Sequence, residues 1–140
     1  MVGVFVLILC DIGNTTFHFL INGVHKRYLL SDELPQFEER VFFISVNETG
    51  SNKLISSCQN AVNLKDFVNF DTSYVGMGID RTVACLGYKN EVIVDAGSAV
   101  TVDLMQNYQH LGGFILPGLS NYKKIYAQIS PKLDFDISVK

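Results

Sequence analysis

Two stretches of this chain place a carboxylate at the end of an apolar run, with a glycine two residues later. The first is LILCDIGNTTFHFL, where Asp11 is followed by Ile12, Gly13, Asn14, Thr15 and Thr16. The second is EVIVDAGSAVTVDLM, where Asp95 is followed by Ala96, Gly97 and Ser98. Glycine admits turns that other residues resist and lets a ligand approach the main chain. Successive N–H groups in such a turn form an anion-binding nest. The hydroxyls of Thr15, Thr16, Ser98 and Thr101 add donors. The carboxylates cannot bind phosphate directly, because like charges repel. They can hold a cation, or a water on it, that does. Two such turns facing each other across a cleft would clasp a polyphosphate. A single Asp-x-Gly is ordinary turn chemistry; the repetition is what favours phosphate.

Between the two turns lies GMGIDRTVACLG. Asp80 and Arg81 stand at or just before a short helix. The plain reading is a capping aspartate beside a surface arginine. The chemical reading makes Asp80 a general base that accepts a hydroxyl proton during phosphoryl transfer. Arg81 would then hold an anionic group of the acceptor in bidentate fashion. Gly76 and Gly78 would let the main chain come close. The position between two phosphate turns favours the chemical reading.

The elements that must carry these residues follow from pattern. Val4 to Cys10 reads as a central strand. Thr16 to Ile21 and Val24 to Leu30 are strands joined by the Asn22-Gly23 hairpin turn. Ser31-Asp32-Glu33 resembles a helix start. Val41 to Val46 is a strand, Glu48 to Asn60 a helix, and Phe67 to Phe70 a short strand. Asp80 to Gly87 reads as a helix closed by glycine. Glu91 to Val94, Val100 to Met105 and Leu111 to Leu116 are strands, and Leu119 to Ile129 has an apolar stripe at helical spacing. The second half repeats the opening of the first. That predicts two α/β domains, 1–88 and 89–140, the second incomplete.

Composition sets the class. The chain has 140 residues, 48% hydrophobic, with mean hydropathy +0.22, enough for a generous core. Net charge is −3 and the pI about 5.5, which argues against a nucleic-acid partner. The run from Val2 to Cys10 is too short to cross a bilayer, and it lacks the flanks of a signal peptide. No membrane partner and a cytoplasmic location are expected. Cys10, Cys58 and Cys85 show no metal-ligand spacing and read as buried, reduced thiols.

Four ordered motifs, DIGNT at 11–15, GIDR at 78–81, DAGSAVTVD at 95–103 and GGFILPG at 112–118, resemble the type III pantothenate kinases of the actin, Hsp70 and sugar-kinase superfamily. The resemblance runs from about Leu7 to about Gly118. It implies an α/β architecture of two RNase H-like domains, related by duplication, with ATP in the cleft between them. It implies transfer of the ATP γ-phosphate to pantothenate, giving 4'-phosphopantothenate, the first step of coenzyme A synthesis. Asp11, Ile12, Gly13, Asn14, Thr15 and Thr16 then contact ATP, joined by Ser98 where relatives usually carry threonine. Gly78, Ile79, Asp80 and Arg81 bind pantothenate, with Asp80 as the proton acceptor. Asp95 holds a monovalent cation, potassium or ammonium, Asp11 is a second metal position, and Mg2+ is a further cofactor. A homodimer is implied.

The pattern departs from the family in two places. Many relatives carry Y-x-N-P before G-x-D-R, whereas this chain has FDTSYVGMGIDR. Tyr74 takes its place as a lining residue of the acceptor pocket, or else is core. Relatives also continue with further helices and a late glycine-rich segment. The chain is therefore expected to be an N-terminal part or a shortened form, with exposed apolar surface that makes it self-associate. The alternative function is a non-catalytic relative acting as a binding or accessory protein.

Overall fold

The computed structural model describes residues 6–134. The chain forms two compact units. One runs to Phe70 and takes in Gly76–Val83; the other is Asp71–Val75 with the chain from Ala84 onward. The border thus runs through the GIDR helix, and the segment before it is shared out between the units.

The first unit is a five-stranded sheet in the order β3-β2-β1-β4-β5, with β1 at Ile8–Ile12, β2 at Thr16–Ile21, β3 at Val24–Leu29, β4 at Val41–Ser45 and β5 at Val62–Asn63. The first three strands are antiparallel neighbours, and β4 lies parallel to β1. Alternation sorts the side chains. Ile8, Cys10, Ile12, Phe17, Phe19, Val41 and Phe43 enter the core, where Leu54 of helix α1 (Glu48–Ser57) meets them. Each fully buried aliphatic or aromatic side chain contributes roughly 1.5–3 kcal/mol. Asn47 caps α1, its Oδ1 accepting from the Gly50 N–H at 2.8 Å. A methyl group at Gly50 would lie 2.6 Å from Cγ2 of Ile12, so glycine is what lets α1 sit on the end of β1. The same alternation puts Leu9, Asp11, His18, Leu20, Phe42 and Ile44 on the opposite face, away from the core.

The second unit is a three-stranded antiparallel meander, β6 (Val92–Ala96), β7 (Ala99–Gln106) and β8 (Gln109–Pro117), followed by helix α3 (Leu119–Ile129). Its core is small. Among the described residues, Cys85, Met105, Asp103 and His110 are its buried members, with Gly118. Val92, Val94, Leu104, Phe114 and Leu116 share the other sheet face by register, and all are exposed. Helix α3 has no buried residue.

Several sequence expectations need correction. The first strand carries Asp11 and Ile12 within it, because β4 pairs with β1 through Ile12; Val4 and Phe5 lie outside the described residues. Residues 31–33 form no helix: Asp32 folds back, its Oδ2 accepting from the Leu29 N–H at 2.7 Å, which makes a turn of the would-be cap. Residues 67–70 form no strand. The edge strand is Val62–Asn63, and Lys65–Phe67 is a 3-10 turn. Helix α1 stops at Ser57. The Asn22-Gly23 turn is as expected, with φ of 49° and 82°. A second turn of this hand, Asn107-Tyr108, was not expected, because tyrosine seldom adopts φ near 64°. It is tied by Asn107 N–H to Oδ1 of Asn90 at 2.8 Å and by Tyr108 N–H to the Lys89 carbonyl at 3.1 Å.

Candidate functional site

In the first unit the β1–β2 turn spans Gly13, Asn14 and Thr15. The Gly13 N–H donates to the Thr16 carbonyl at 3.0 Å, and the Thr15 carbonyl accepts from Leu30 N–H at 3.0 Å. Asn14 and Thr15 are exposed, while Thr16 is buried and bonds to His18 Nε2 at 2.9 Å. Gly13 does not take a positive φ, and a methyl group there would come no closer than 3.7 Å to any heavy atom beyond its chain neighbours. The turn therefore does not demand glycine for its own geometry. What glycine leaves is an open approach to the backbone.

Asp11 projects from the sheet face opposite the core, directly across from His18 on β2. It shares a groove of about 290 Å³ with Leu9, His18, His25, Phe42, Ile44 and Val83. Val83 belongs to helix α2 (Ile79–Cys85), so the GIDR helix and the Asp11 strand wall the same space. Val46 stands beside both motifs. Its N–H donates to the Ile12 carbonyl at 3.1 Å, and its Cγ1 is 3.9 Å from where a Gly78 side chain would begin.

Asp80 lies inside the first turn of α2, and its Oδ1 accepts from the Arg81 N–H at 2.8 Å. Any side chain at Gly78 would meet Asp80 Oδ1, so Gly78 is what leaves room for this carboxylate. Thr82 closes the turn, with N–H and Oγ1 both donating to the Gly78 carbonyl at 3.0 Å. Asp80 and Ile79 are half-buried and Arg81 is buried. Gly76, at φ 77°, occupies a backbone conformation that favours glycine.

In the second unit Asp95 stands on β6 opposite Thr101, and both Asp95 and Ser98 are exposed. The turn is one residue shorter than the first, with Gly97 N–H donating to the Ala99 carbonyl at 2.8 Å. Gly97, like Gly13, has no positive φ and no crowding. The constraint falls on Gly118 instead. A methyl group there would strike the Gly97 carbonyl oxygen and lie 2.6 Å from that of Ser98. The Ser98 carbonyl accepts from Gly118 N–H at 3.1 Å and from Asn121 Nδ2 at 3.1 Å. Gly118 and Asn121 thus support the second turn. The P-G of GGFILPG was the available signal for Gly118, but it reads as a strand terminator until the contact is seen.

The first unit therefore gathers Asp11 to Thr16 with Gly78, Ile79, Asp80 and Arg81. Tyr74, Asp95 and Ser98 belong to the second. The cysteines form no disulfide. Burial, and then the neighbouring Asp11 charge, push the Cys10 thiol from 9.0 up to about 12. Among the described residues, the group with metal-ligand atoms within 4.8 Å of one another is Cys85, Asp103 and His110, and the sequence pattern had pointed to none of them. No helix among the described residues is long and apolar enough to cross a membrane.

Comparison with known proteins places this geometry in context. A family model described as type III pantothenate kinase matches residues 23–137. The chain is 45% identical over 137 residues to a type III pantothenate kinase of Campylobacter jejuni, covering 96% of this chain and 64% of the relative. It is 42% identical to the enzyme of that name from Helicobacter hepaticus, covering 94% and 64%. A crystal structure of a conserved Campylobacter jejuni protein, described as a Baf family transcriptional activator, aligns with a TM-score of 0.78 at 44% identity, covering 96% of this chain and 65% of that one. The chain thus spans just under two thirds of the length of these relatives.

Proposed function

The chain belongs to the type III pantothenate kinase family, and we propose on that premise that the protein serves the ATP-dependent phosphorylation of pantothenate to 4'-phosphopantothenate. What carries the reading is Asp80. It is a half-buried carboxylate in the first turn of α2, given room by Gly78, in the same unit as the turn that follows Asp11.

Asp80 accepts the proton of the pantothenate hydroxyl as the oxygen attacks the γ-phosphorus and the bond to the β,γ-bridging oxygen breaks, leaving ADP. Arg81 pairs with the pantothenate carboxylate. The backbone and hydroxyls of Gly13 to Thr16, with Ser98, hold the phosphates of ATP. Asp11 and Asp95 are exposed carboxylates beside open glycine turns, and hard cations take such oxygens. Asp11 would hold Mg2+ and Asp95 potassium or ammonium, each supplying positive charge to the phosphates. The two β-hairpins with their third strands support a duplicated RNase H-like fold. The exposed face of β6–β8 supports a homodimer.

A second reading, a binding or accessory protein without catalysis, draws on the name of the Campylobacter structure. Retention of Asp80, Arg81 and Asp95 speaks against it. Transfer of phosphate from ATP to pantothenate by the intact gene product decides between them. We expect turnover, and a loss of about 10²–10⁴-fold in kcat for Asp80→Asn with ATP affinity little changed. Absence of transfer, or normal turnover in Asp80→Asn, would remove the catalytic role.

A further inference from the structure

The buried polar cluster of the second unit has no part in the chemistry above. The Asp103 and His110 side chains are 1% and 0% exposed, and His110 Nε2 lies 2.8 Å from Asp103 Oδ1. His110 reaches this place through a register change. Leu104 pairs with Gly112, but Met105 pairs with His110, so Leu111 is an extra residue on β8. Gly112 supplies the unusual backbone, at φ 141°. In unbroken register Leu111 would stand opposite Met105 and His110 would lie on the other face. The bulge exposes Leu111 by half and turns His110 inward beside Asp103.

The hydrogen bonds from this pair run in one direction. A carboxylate only accepts, so Nε2 of His110 carries the proton given to Asp103. In the neutral imidazole Nδ1 is then an acceptor, with Thr72 Oγ1 2.7 Å away as its donor. The same Oγ1 accepts from the backbone N–H of Tyr74 at 3.0 Å. Thr72 also bridges His110 through the backbone, and the Tyr74 ring stands 6.2 Å from the imidazole, tilted by 60°. A swap of tautomer would set the bare Nε2 lone pair against the Asp103 carboxylate, acceptor against acceptor, and a ring flip would put ring carbons where the nitrogens stand, in a place with little access to water.

We propose that Asp103, His110 and Thr72 are positioning residues that hold Tyr74 for recognition of the hydroxyl acceptor. This rests on the pantothenate reading, in which Tyr74, four residues before Gly78, lines the acceptor site. The segment from Asp71 to Val75 contains no helix and no full strand. The chain of three hydrogen bonds to β7 and β8 fixes its register, and with it the side chain that meets the acceptor.

The test is Thr72→Val in the intact protein, with Thr72→Ser as the conservative control. Thr72→Val should raise the KM for pantothenate roughly tenfold, the worth of a hydrogen-bonding group left unmet. The kcat and the KM for ATP should stay within about twofold, and Thr72→Ser should restore the wild-type KM. Nitrogen NMR should show His110 Nδ1 unprotonated, and the Tyr74 amide should be protected from exchange in the wild type and not in Thr72→Val. A loss of melting temperature with no change in the KM for pantothenate would make the network merely structural. A transition metal bound stoichiometrically through Cys85, Asp103 and His110 would also overturn it, since Nε2 would then be a ligand. A wild-type protein inactive on pantothenate would instead defeat the functional reading, and the Tyr74 and His110 signals would still judge the network.

Discussion

The turn after Asp11 stands on a five-stranded sheet whose inner face is sealed by Phe17, Phe19, Phe43 and Leu54. The turn after Asp95 stands on three strands whose apolar face, from Val92 to Leu116, is open. The two share a sequence device, but its support differs. In the first unit the turn is held from beneath, by ordinary core burial. In the second it is held from the side, by Gly118 and Asn121 at the start of α3, and the small buried interior mixes the apolar Cys85 and Met105 with the polar Asp103 and His110. Similar local chemistry therefore does not imply similar stability, and substitutions can tell the two regions apart.

The largest contrast is in packing. Leu54→Ala in α1 should cost about 2–5 kcal/mol, because it opens a cavity at a position with no exposed surface. Val94→Thr on the open face of β6 should cost under about 0.5 kcal/mol and reduce self-association. Chemical denaturation gives the first quantity and sedimentation the second. A costly Val94→Thr would mean that the open face is covered in the working protein.

Next come the two carboxylates. Asp95→Asn should abolish the preference for potassium or ammonium over sodium. Asp11→Asn should leave that preference intact while weakening activity at limiting Mg2+. Each should lose roughly 10- to 100-fold in activity, the scale of one lost charge-assisted contact. Steady-state rates in exchanged salts separate them. Identical salt responses in the two variants would mean that the turns are not specialised.

The glycines sharpen the same comparison at smaller scale. Gly118→Ala should cost about 1–3 kcal/mol, because the added methyl meets main-chain carbonyls that cannot move aside. Gly13→Ala should fold normally, since its nearest neighbour is 3.7 Å away, and any loss should be in ATP affinity alone. A destabilised Gly13→Ala with intact ATP binding would reverse the assignment.

These differences also mark what the sequence could reveal. Regular periodicity was readable: helix α3 runs from Leu119 to Ile129 as its apolar stripe predicted, and β2 from Thr16 to Ile21. The motif residues were readable because glycine and aspartate at a strand end are conspicuous. Ser31-Asp32-Glu33 misled because a capping aspartate and a turn aspartate are the same residue until its partner is known; here the partner is Leu29. The pairing of His110 with Asp103 was invisible, because one extra residue at Leu111 reverses the face that period-two reading assigns. Gly118 and Asn121 depend on contacts with residues some twenty positions earlier, which no local pattern records.

The effect that vanishes at neutral pH concerns Cys10, which lies one residue before Asp11 and points into the core from the strand that carries it. Its thiol is pushed up from 9.0 to about 12, first by burial and then by the charge of Asp11. Below pH 9 the thiol is protonated in folded and unfolded chains alike, so stability there owes nothing to its titration. Above pH 9 the unfolded chain releases the proton and the folded chain keeps it. The unfolded state then binds fewer protons, and stability falls as pH rises until the folded thiol also ionises near 12. One proton corresponds to a slope of about 1.4 kcal/mol per pH unit. Denaturation of wild type and Cys10→Ala across this range should show the wild type losing stability faster by up to that slope, with no difference in slope below pH 9. Parallel curves throughout would mean that the core of the first unit opens to solvent at Cys10. The contrast between a sealed first unit and an open second one would then fail at the strand that carries Asp11.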